Sequence, residues 1–483
     1  MKLKWILLTA FVSAQIGIAR AQDAAVSGMN SDIDALKKEI QALEQKVDAL
    51  EQQKTQQQST TQVEDLDQHV RILERKREID EENAAATAKT QPKISVGPDG
   101  VKLSSADTNF VFNLHGLVQL DSRNFYNAPV KGVDGFILRR ARPIFTGTVY
   151  HDFDFNLTPD FGGNTVQVLD AYANYRNRPE FQVQAGKFKS PVSLEQLQSD
   201  PVTAFNERSL VNDLVPNRDL GADVHGDLFG GVASYAAGIF NGAPDYSGTT
   251  TNSDYDNNKA FVGRVFFQPF KPTSISFLQG FGFGIGGSYE ADHGSATGAS
   301  GLTSGYTTDG QQKFFTYTNG VFASGTHWRL DPQANYYWGP LCVAGEYVIS
   351  DQQVAKGAAK TDLRNRAWDV TAGWVLTGES ASYTGITPAH PFDPRKGQWG
   401  AVQIVGRYAD LDVDNKAFPV FANPNTAASS AHAWSAGVNW FLNKNIRVNA
   451  SYSHTIFAGG NGTGATVTKN PEDVFFTRVQ LVF

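Results

Sequence analysis

Seven arginines carry the clearest chemical pattern in the chain: Arg140, Arg142, Arg176, Arg264, Arg407, Arg447 and Arg478. Each lies in a stretch where apolar and polar residues alternate, and each takes the polar parity. Phe261, Gly263, Val265 and Phe267 share one face, for example, while Val262, Arg264 and Gln268 share the other. A guanidinium presents forked donors matched to phosphate or carboxylate oxygens, so a row of them facing water could replace part of an anion's hydration shell. The competing use is structural: pairing with acids on the same face, such as Asp121, Asp170, Glu346 and Asp369, would only stiffen the wall. Four more cations, Lys187, Lys189, Arg208 and Arg218, fall in one stretch with the acids Glu195, Asp200, Glu207, Asp213 and Asp219. These acids can cancel the field of the cations or pair with them and hold the stretch in place.

No other constellation suggests catalysis. Gly282-Phe283-Gly284-Ile285-Gly286-Gly287 matches a dinucleotide fingerprint as text, but Phe281, Phe283 and Ile285 alternate as a strand face and no helix follows. The nine histidines lack metalloprotease spacing, and the single cysteine, Cys342, builds neither a zinc site nor an intramolecular disulfide. Ser, His and Asp occur without a nucleophile elbow. The chain reads as a non-enzyme with no cofactor, no metal and no nucleic-acid partner.

The elements that would position the arginines are strands. In the last ten residues, Phe475, Thr477, Val479, Leu481 and Phe483 share one face, and Val474, Phe476, Arg478, Gln480 and Val482 the other. One greasy face and one wet face suit a closed barrel between lipid and water. The alternation begins clearly at Phe110 and recurs to the end, with long polar stretches at 246–258, 292–312 and 459–470 and tight turns such as Gly339-Pro340. Long loops at one end and tight turns at the other are expected, and roughly 24 residues per strand and loop gives about 16 strands. Tyr336, Trp338, Tyr408 and Trp434 would form interfacial girdles. A charge on the lipid face at mid-depth costs about 2–4 kcal/mol, which makes parity a strong filter. Arg139 takes the wrong parity and requires an interfacial position or a bulge. Lys187 and Lys189 share the parity of Phe181, Val183 and Ala185, so a bulge or strand end is needed there too.

The first 92 residues differ. Lys2 and Lys4, the apolar run from Trp5 to Ile18 and Ala19-Arg20-Ala21 form a signal peptide over 1–21, so export is expected. Ile33, Leu36, Ile40, Leu43, Val47 and Leu50, then Val63, Leu66, Val70 and Leu73, recur at three-four spacing. Residues 22–92 therefore read as a coiled coil and linker placed in the periplasm, which implies several copies together.

From Phe110 to Phe483 the chain resembles the phosphate-selective porins O and P of bacterial outer membranes. The resemblance rests on Leu138-Arg139-Arg140-Ala141-Arg142-Pro143, on Gly186-Lys187-Phe188-Lys189-Ser190-Pro191-Val192-Ser193-Leu194-Glu195, on Asn217-Arg218-Asp219-Leu220-Gly221, and on Leu376-Thr377-Gly378-Glu379 followed by Pro391-Phe392-Asp393-Pro394. It departs at Val192, where the family often has Phe. The resemblance implies a trimer of 16-stranded barrels in the outer membrane, with one loop, about 187–220 here, folded inward to narrow the pore and basic residues guiding anions. The expected fold is thus all-β: an antiparallel barrel over 93–483 behind the helical segment. Its expected function is passive passage of small anions, phosphate or polyphosphate. The alternatives are a general or differently selective porin (sugar, organic acid or cation), or an envelope tether touching the cell wall through its coiled coil. Net charge does not choose among them. Of 42 basic and 49 acidic side chains, 13 and 15 fall in the first 93 residues, leaving 29 against 34 for the barrel. Selectivity follows the local field at the narrowest point.

Overall fold

The computed structural model describes residues 34–46, 48–50, 60–126, 132–163, 165–246, 254–460 and 469–483. The expected signal peptide, Ile33 and Val47, and parts of the stretches 246–258 and 459–470 lie outside them. The chain divides into two compact units, Met1–Pro92 and Lys93–Phe483. In the first, α1 (34–46 and 48–50) and α2 (Thr60–Thr90) are helical. Leu36, Ile40, Leu43 and Leu50, and then Leu66, Val70 and Leu73, are partly or fully buried among exposed polar neighbours. That is the three-four face read from the sequence.

The second unit opens with a hairpin, β1 (Lys93–Gly97) and β2 (Gly100–Ser104). Then follow β3 (Phe110–Phe125), β4 (Gly135–Val149), β5 (Phe153–Asp160), β6 (Gln167–Arg178), β7 (Phe181–Lys189), β8 (Arg218–Leu228), β9 (Ala233–Phe240), β10 (Ala260–Phe267) and β11 (Phe281–His293). A small loop ribbon holds β12 (Tyr306–Thr307) and β13 (Lys313–Phe315). The chain continues through β14 (Phe322–Trp338), β15 (Leu341–Lys356), β16 (Ala359–Val375), β17 (Ala401–Asp412), β18 (Ser430–Phe441), β19 (Ile446–Ala458) and β20 (Glu472–Val482). Apart from the hairpin and the ribbon, the strands form an antiparallel cylinder of 16, closed where β20 pairs with β3 from Val474↔Phe125 to Val482↔Leu117. Phe483 seals the seam: its N–H donates to the Gly116 carbonyl at 3.0 Å, and Gly116 N–H donates back at 2.7 Å. Its ring packs over Gly116, 2.3 Å from where a Cβ on residue 116 would stand, so a larger residue there would have to displace the ring.

The two faces separate as the alternation requires. On β20, Arg478 and Gln480 are 1% and 4% exposed, while Val479 and Leu481 are 53% and 41% exposed. On β3, Gln119, Asp121 and Arg123 are buried and Val118 and Leu120 exposed. Trp338, Trp368, Tyr408 and Trp434 stand exposed on the outer wall. The loop ends are less regular than expected. Tight turns at 150–152, 179–180, 339–340 and 442–445 share their end of the barrel with a long segment, 376–400, and the opposite, long-loop end holds a two-residue turn at 357–358. The long segment is there because it reaches into the lumen: Tyr383 Oη donates to the Leu194 carbonyl at 2.7 Å. The end with the tight turns and the carboxyl terminus is the periplasmic one.

Residues 190–217, between β7 and β8, enter the lumen and are largely buried, with Val192, Val211, Leu214 and Val215 fully enclosed. The glycine run in β11 makes room for them. Gly282, Gly284 and Gly286 have the parity of buried Ser288 and Glu290, and a Cβ on residue 286 would lie 2.1 Å from the Val192 carbonyl oxygen. Gly286→Val is therefore expected to overpack this contact by about 1–3 kcal/mol. Protease nicking of the loop should rise, and heat-modified gel mobility should appear at lower temperature. Gly406→Val, on the lipid face of β17 with its nearest heavy atom 4.0 Å away, should leave both unchanged.

Candidate functional site

The inward segment is held by two different kinds of contact on two different walls. Strands β14, β15 and β18–β20 hold its backbone. Gln333 Nε2 donates to Val192 O at 2.8 Å, Asn439 Nδ2 to Ala204 O at 2.9 Å, Arg447 Nη1 to Thr203 O at 2.8 Å and Gln480 Nε2 to Pro201 O at 3.0 Å. Glu346 accepts from Leu194 N at 2.7 Å, Glu195 N at 2.9 Å and Ser193 Oγ at 3.1 Å, capping the short helix α3 (Leu194–Leu197). The segment's carboxylates turn the other way, mostly toward β3 and β4. Glu207 accepts Arg139 in a fork, at 2.7 and 2.9 Å, and Arg123 at 3.1 Å. Asp200 is surrounded by Arg140 at 3.4 Å, Arg208 at 2.6 Å and Arg142, which also binds Asp160 at 2.6 Å.

Arg139 reaches Glu207 because of a bulge. The register runs Gln119↔Arg140 and then Leu120↔Leu138, so residue 139 is extra and its side chain joins Arg140 in the lumen. Alternation alone had set it on the opposite face, and Arg139 and Arg123 both escaped the sequence-based candidate set. The adjacent Arg139-Arg140 pair was the available signal.

Open space lies between the carboxylate side of the segment and strands β3–β8. A chamber of about 400 Å³ on the long-loop side is lined by six arginines (Arg123, Arg139, Arg140, Arg142, Arg208 and Arg218) and four carboxyls (Asp160, Asp200, Glu207 and Asp213). A second chamber, of about 770 Å³, opens toward the periplasmic end past Lys189, Asp170, Tyr172 and Lys444. Among the described residues, the only charged side chains lining both are Arg142, Asp200 and Arg218. They mark the waist.

The other candidates lie elsewhere. Lys189 Nζ donates to Gln198 O at 2.8 Å, beneath the segment. Lys187 is buried and lines neither chamber. Arg176 pairs with Asp154 near a periplasmic turn, half exposed. Arg264 donates to Gln333 at 2.9 Å and covers the Phe266 ring. Arg407 bridges Glu195, the Glu207 carbonyl and Asp309, at 3.3, 3.0 and 2.9 Å, and Arg478 forks onto Asp121 at 2.6 and 2.7 Å. Of the anticipated acid partners, Asp121 and Asp170 pair with Arg478 and Arg218, whereas Glu346 serves the backbone.

A polar, constricted lumen inside a closed barrel with an apolar outer wall defines an outer-membrane porin, a channel and not an enzyme. Residues 112–483 match the family described as phosphate-selective porin O and P, and the chain belongs to that family. It is 25% identical to Porin O of Pseudomonas aeruginosa over 416 residues, 80% of this chain and 91% of that one. Among solved structures, the outer membrane channel DcaP of Acinetobacter baumannii superposes with a TM-score of 0.51 at 11% identity, covering 78% of this chain and 98% of its own. The anion-selective porin from Comamonas acidovorans gives 0.50 at 12% identity, over 77% and 100%.

The acids of the inward segment differ in charge. Burial opposes ionisation of Glu207 and Asp200, but their arginine neighbours overcome it and hold both well below the usual carboxylate range. Asp213 goes the other way. Burial pushes its carboxyl well up, the Thr307 donors offset only part of this, and Asp245 and Asp309 add to it. Ionisation of Asp213 is thus displaced to higher pH than that of Glu207 and Asp200, and it gains its charge as pH rises through its raised value. For an ion roughly 5–10 Å from this wall, a new charge costs an anion about 0.4–0.8 kcal/mol in water-like surroundings, roughly two- to fourfold in local concentration. Anion conductance in planar bilayers should fall by about that factor on the alkaline side, and Asp213→Asn should remove the step.

Proposed function

We propose that the porin passes small anions of the phosphate class down their gradient, with Arg140, Arg142, Arg208 and Arg218 forming the anion path at and above the waist. The observation that carries this reading is the local charge: six guanidinium groups face four carboxyls in the chamber above the waist, and one of the four is Asp213. Forked donors suit phosphate oxygens, and fixed charges in a narrow, poorly hydrated passage act more strongly than in bulk water. The names of the family and of its relative Porin O point the same way. Arg407, Arg447 and Arg478 contribute to the path indirectly, by holding the segment that narrows it.

The assembly is read as a homotrimer with the helical unit in the periplasm. Its support on the barrel is a set of small residues on the outer face. Ala173, Ala185 and Ala222 stand side by side across β6, β7 and β8, and Ala237 opposes Gly263 across β9 and β10. Small residues let a second copy approach closely. Ala222→Trp should convert the trimer to smaller species in light-scattering measurements of the detergent-solubilised protein; an unchanged mass would reject that face as the interface.

A reversal potential measured under a KCl gradient tests the selectivity directly. The wild type should prefer chloride, and a cation-preferring sign would overturn the reading. Arg142→Gln should lower the anion-to-cation permeability ratio about sixteenfold, since one charge about 5 Å from the path in water-like surroundings shifts anion and cation concentrations about fourfold each, in opposite directions.

A further inference from the structure

The outer wall carries a polar groove that the channel does not use. At the long-loop end of β14–β18 a groove of about 880 Å³ is lined by Trp328, Arg364, Arg366, Asp412 and Lys416, among others. The strand residues among them point away from the lumen, because their neighbours His327, Leu363, Asn365 and Leu411 are the fully buried inward ones. Arg364 covers the Trp328 ring at 5.5 Å and pairs with Asp351 at 2.6 Å, yet its side chain remains 49% exposed. Arg366 stands opposite Asp412 in register but, among the described residues, forms no ion pair or hydrogen bond. Lower on the same wall, Leu330, Trp368, Tyr408 and Trp434 are exposed.

Charge on the outer wall marks membrane depth. An outward arginine costs about 2–4 kcal/mol at the hydrocarbon midplane and about 0–1 kcal/mol at the interface. Arg364 and Arg366 therefore sit at headgroup level, directly above the outward rings of Trp368, Tyr408 and Trp434 in the interfacial girdle, where acyl chains begin. We propose that this groove binds the phosphorylated headgroup of an outer-leaflet glycolipid, with Arg364 and Arg366 on its phosphate and its chains along Trp368 and Tyr408. The groove's charges fit that occupant better than free phosphate. Arg364, Arg366 and Lys416 share it with Asp351, Asp362, Asp412 and Asp414. A bare dianion meets four carboxylates there, while a headgroup bringing divalent counter-ions and held by its chains meets partners of both signs. A second copy of the chain fits poorly, because bulky rings stand out from this wall.

The test is lipid retention by the full-length protein purified from outer membranes. After exchange into detergent, phosphorylated glycolipid per chain is counted by mass spectrometry, with and without a millimolar inorganic phosphate wash. The wild type should keep about one molecule, and phosphate should not displace it. Arg366→Gln, which breaks no ion pair, should lower retention about tenfold, as expected for one lost charge-assisted contact; Arg364→Gln combined with Arg366→Gln should abolish it. Single-channel conductance should be unchanged in both, since neither side chain reaches the lumen. Equal retention in wild type and variants overturns the proposal. So does displacement by inorganic phosphate, which would indicate a free-anion site, or a variant that loses its oligomeric mass without losing lipid, which would indicate a contact between copies.

Discussion

Hydrocarbon outside the barrel offers no partner to a backbone N–H or carbonyl, so the sheet has to close on itself. Here closure rests on the nine residue pairs from Val474↔Phe125 to Val482↔Leu117 and on the reciprocal bonds between Phe483 and Gly116. Once the cylinder is closed, every strand residue faces either lipid or lumen. The lumen of 16 strands is too wide for side chains alone to fill. A chain segment can occupy it only if its own backbone groups find partners on the wall. That is why polar side chains such as Gln333, Asn439 and Gln480, ordinary lumen residues by parity, end up bonded to carbonyls of the inward segment.

The division of labour between the two walls follows from magnitudes. A neutral hydrogen bond to the segment contributes about 0.5–1.5 kcal/mol net, and its partner, once buried, costs about 1–3 kcal/mol to abandon. Several such bonds fix where the segment lies, whatever the salt concentration. A buried ion pair roughly breaks even, because desolvation offsets attraction, but losing one member leaves a stranded charge. The pairs of Arg139, Arg123, Arg140 and Arg142 with Glu207 and Asp200 therefore add little to position. They decide how much positive potential is left over in the passage beside them.

Much of this was legible in the sequence because period-two alternation survives any loop length. The strand faces and the lumen parity of Arg140, Arg142, Arg407 and Arg478 follow from it; the 16-strand estimate adds only the chain length per strand and loop, and the inward segment was implied by the family resemblance alone. Parity flagged Arg139 as needing an interfacial position or a bulge, but it could not choose between them. One additional residue between Gln119↔Arg140 and Leu120↔Leu138 turns Arg139 inward and makes it the main partner of Glu207. Nor does parity say which inward arginine meets open space and which meets another chain segment. Arg142 and Arg447 look alike in sequence, yet one stands at the waist and the other under Thr203. Residues 376–400 were equally opaque, since their inward course depends on long-range bonds such as Tyr383 to Leu194.

A chain with a net charge of −7 can still favour anions at its waist. Fixed charges are screened over about 8 Å at physiological ionic strength, and more weakly where protein crowds out water. Acids on the outer rim, such as Asp362 and Asp412, lie on the far side of the wall from the passage and are screened by bulk solvent. Arg142 and Arg218, by contrast, line both chambers, so an ion crossing between them passes within their unscreened reach. Asp200 shares that position but is already engaged by Arg140, Arg142 and Arg208. The proposed anion preference therefore depends on a surplus of guanidinium groups over ionised carboxyls in a volume of a few hundred cubic ångströms. The total charge of the chain has little bearing on it.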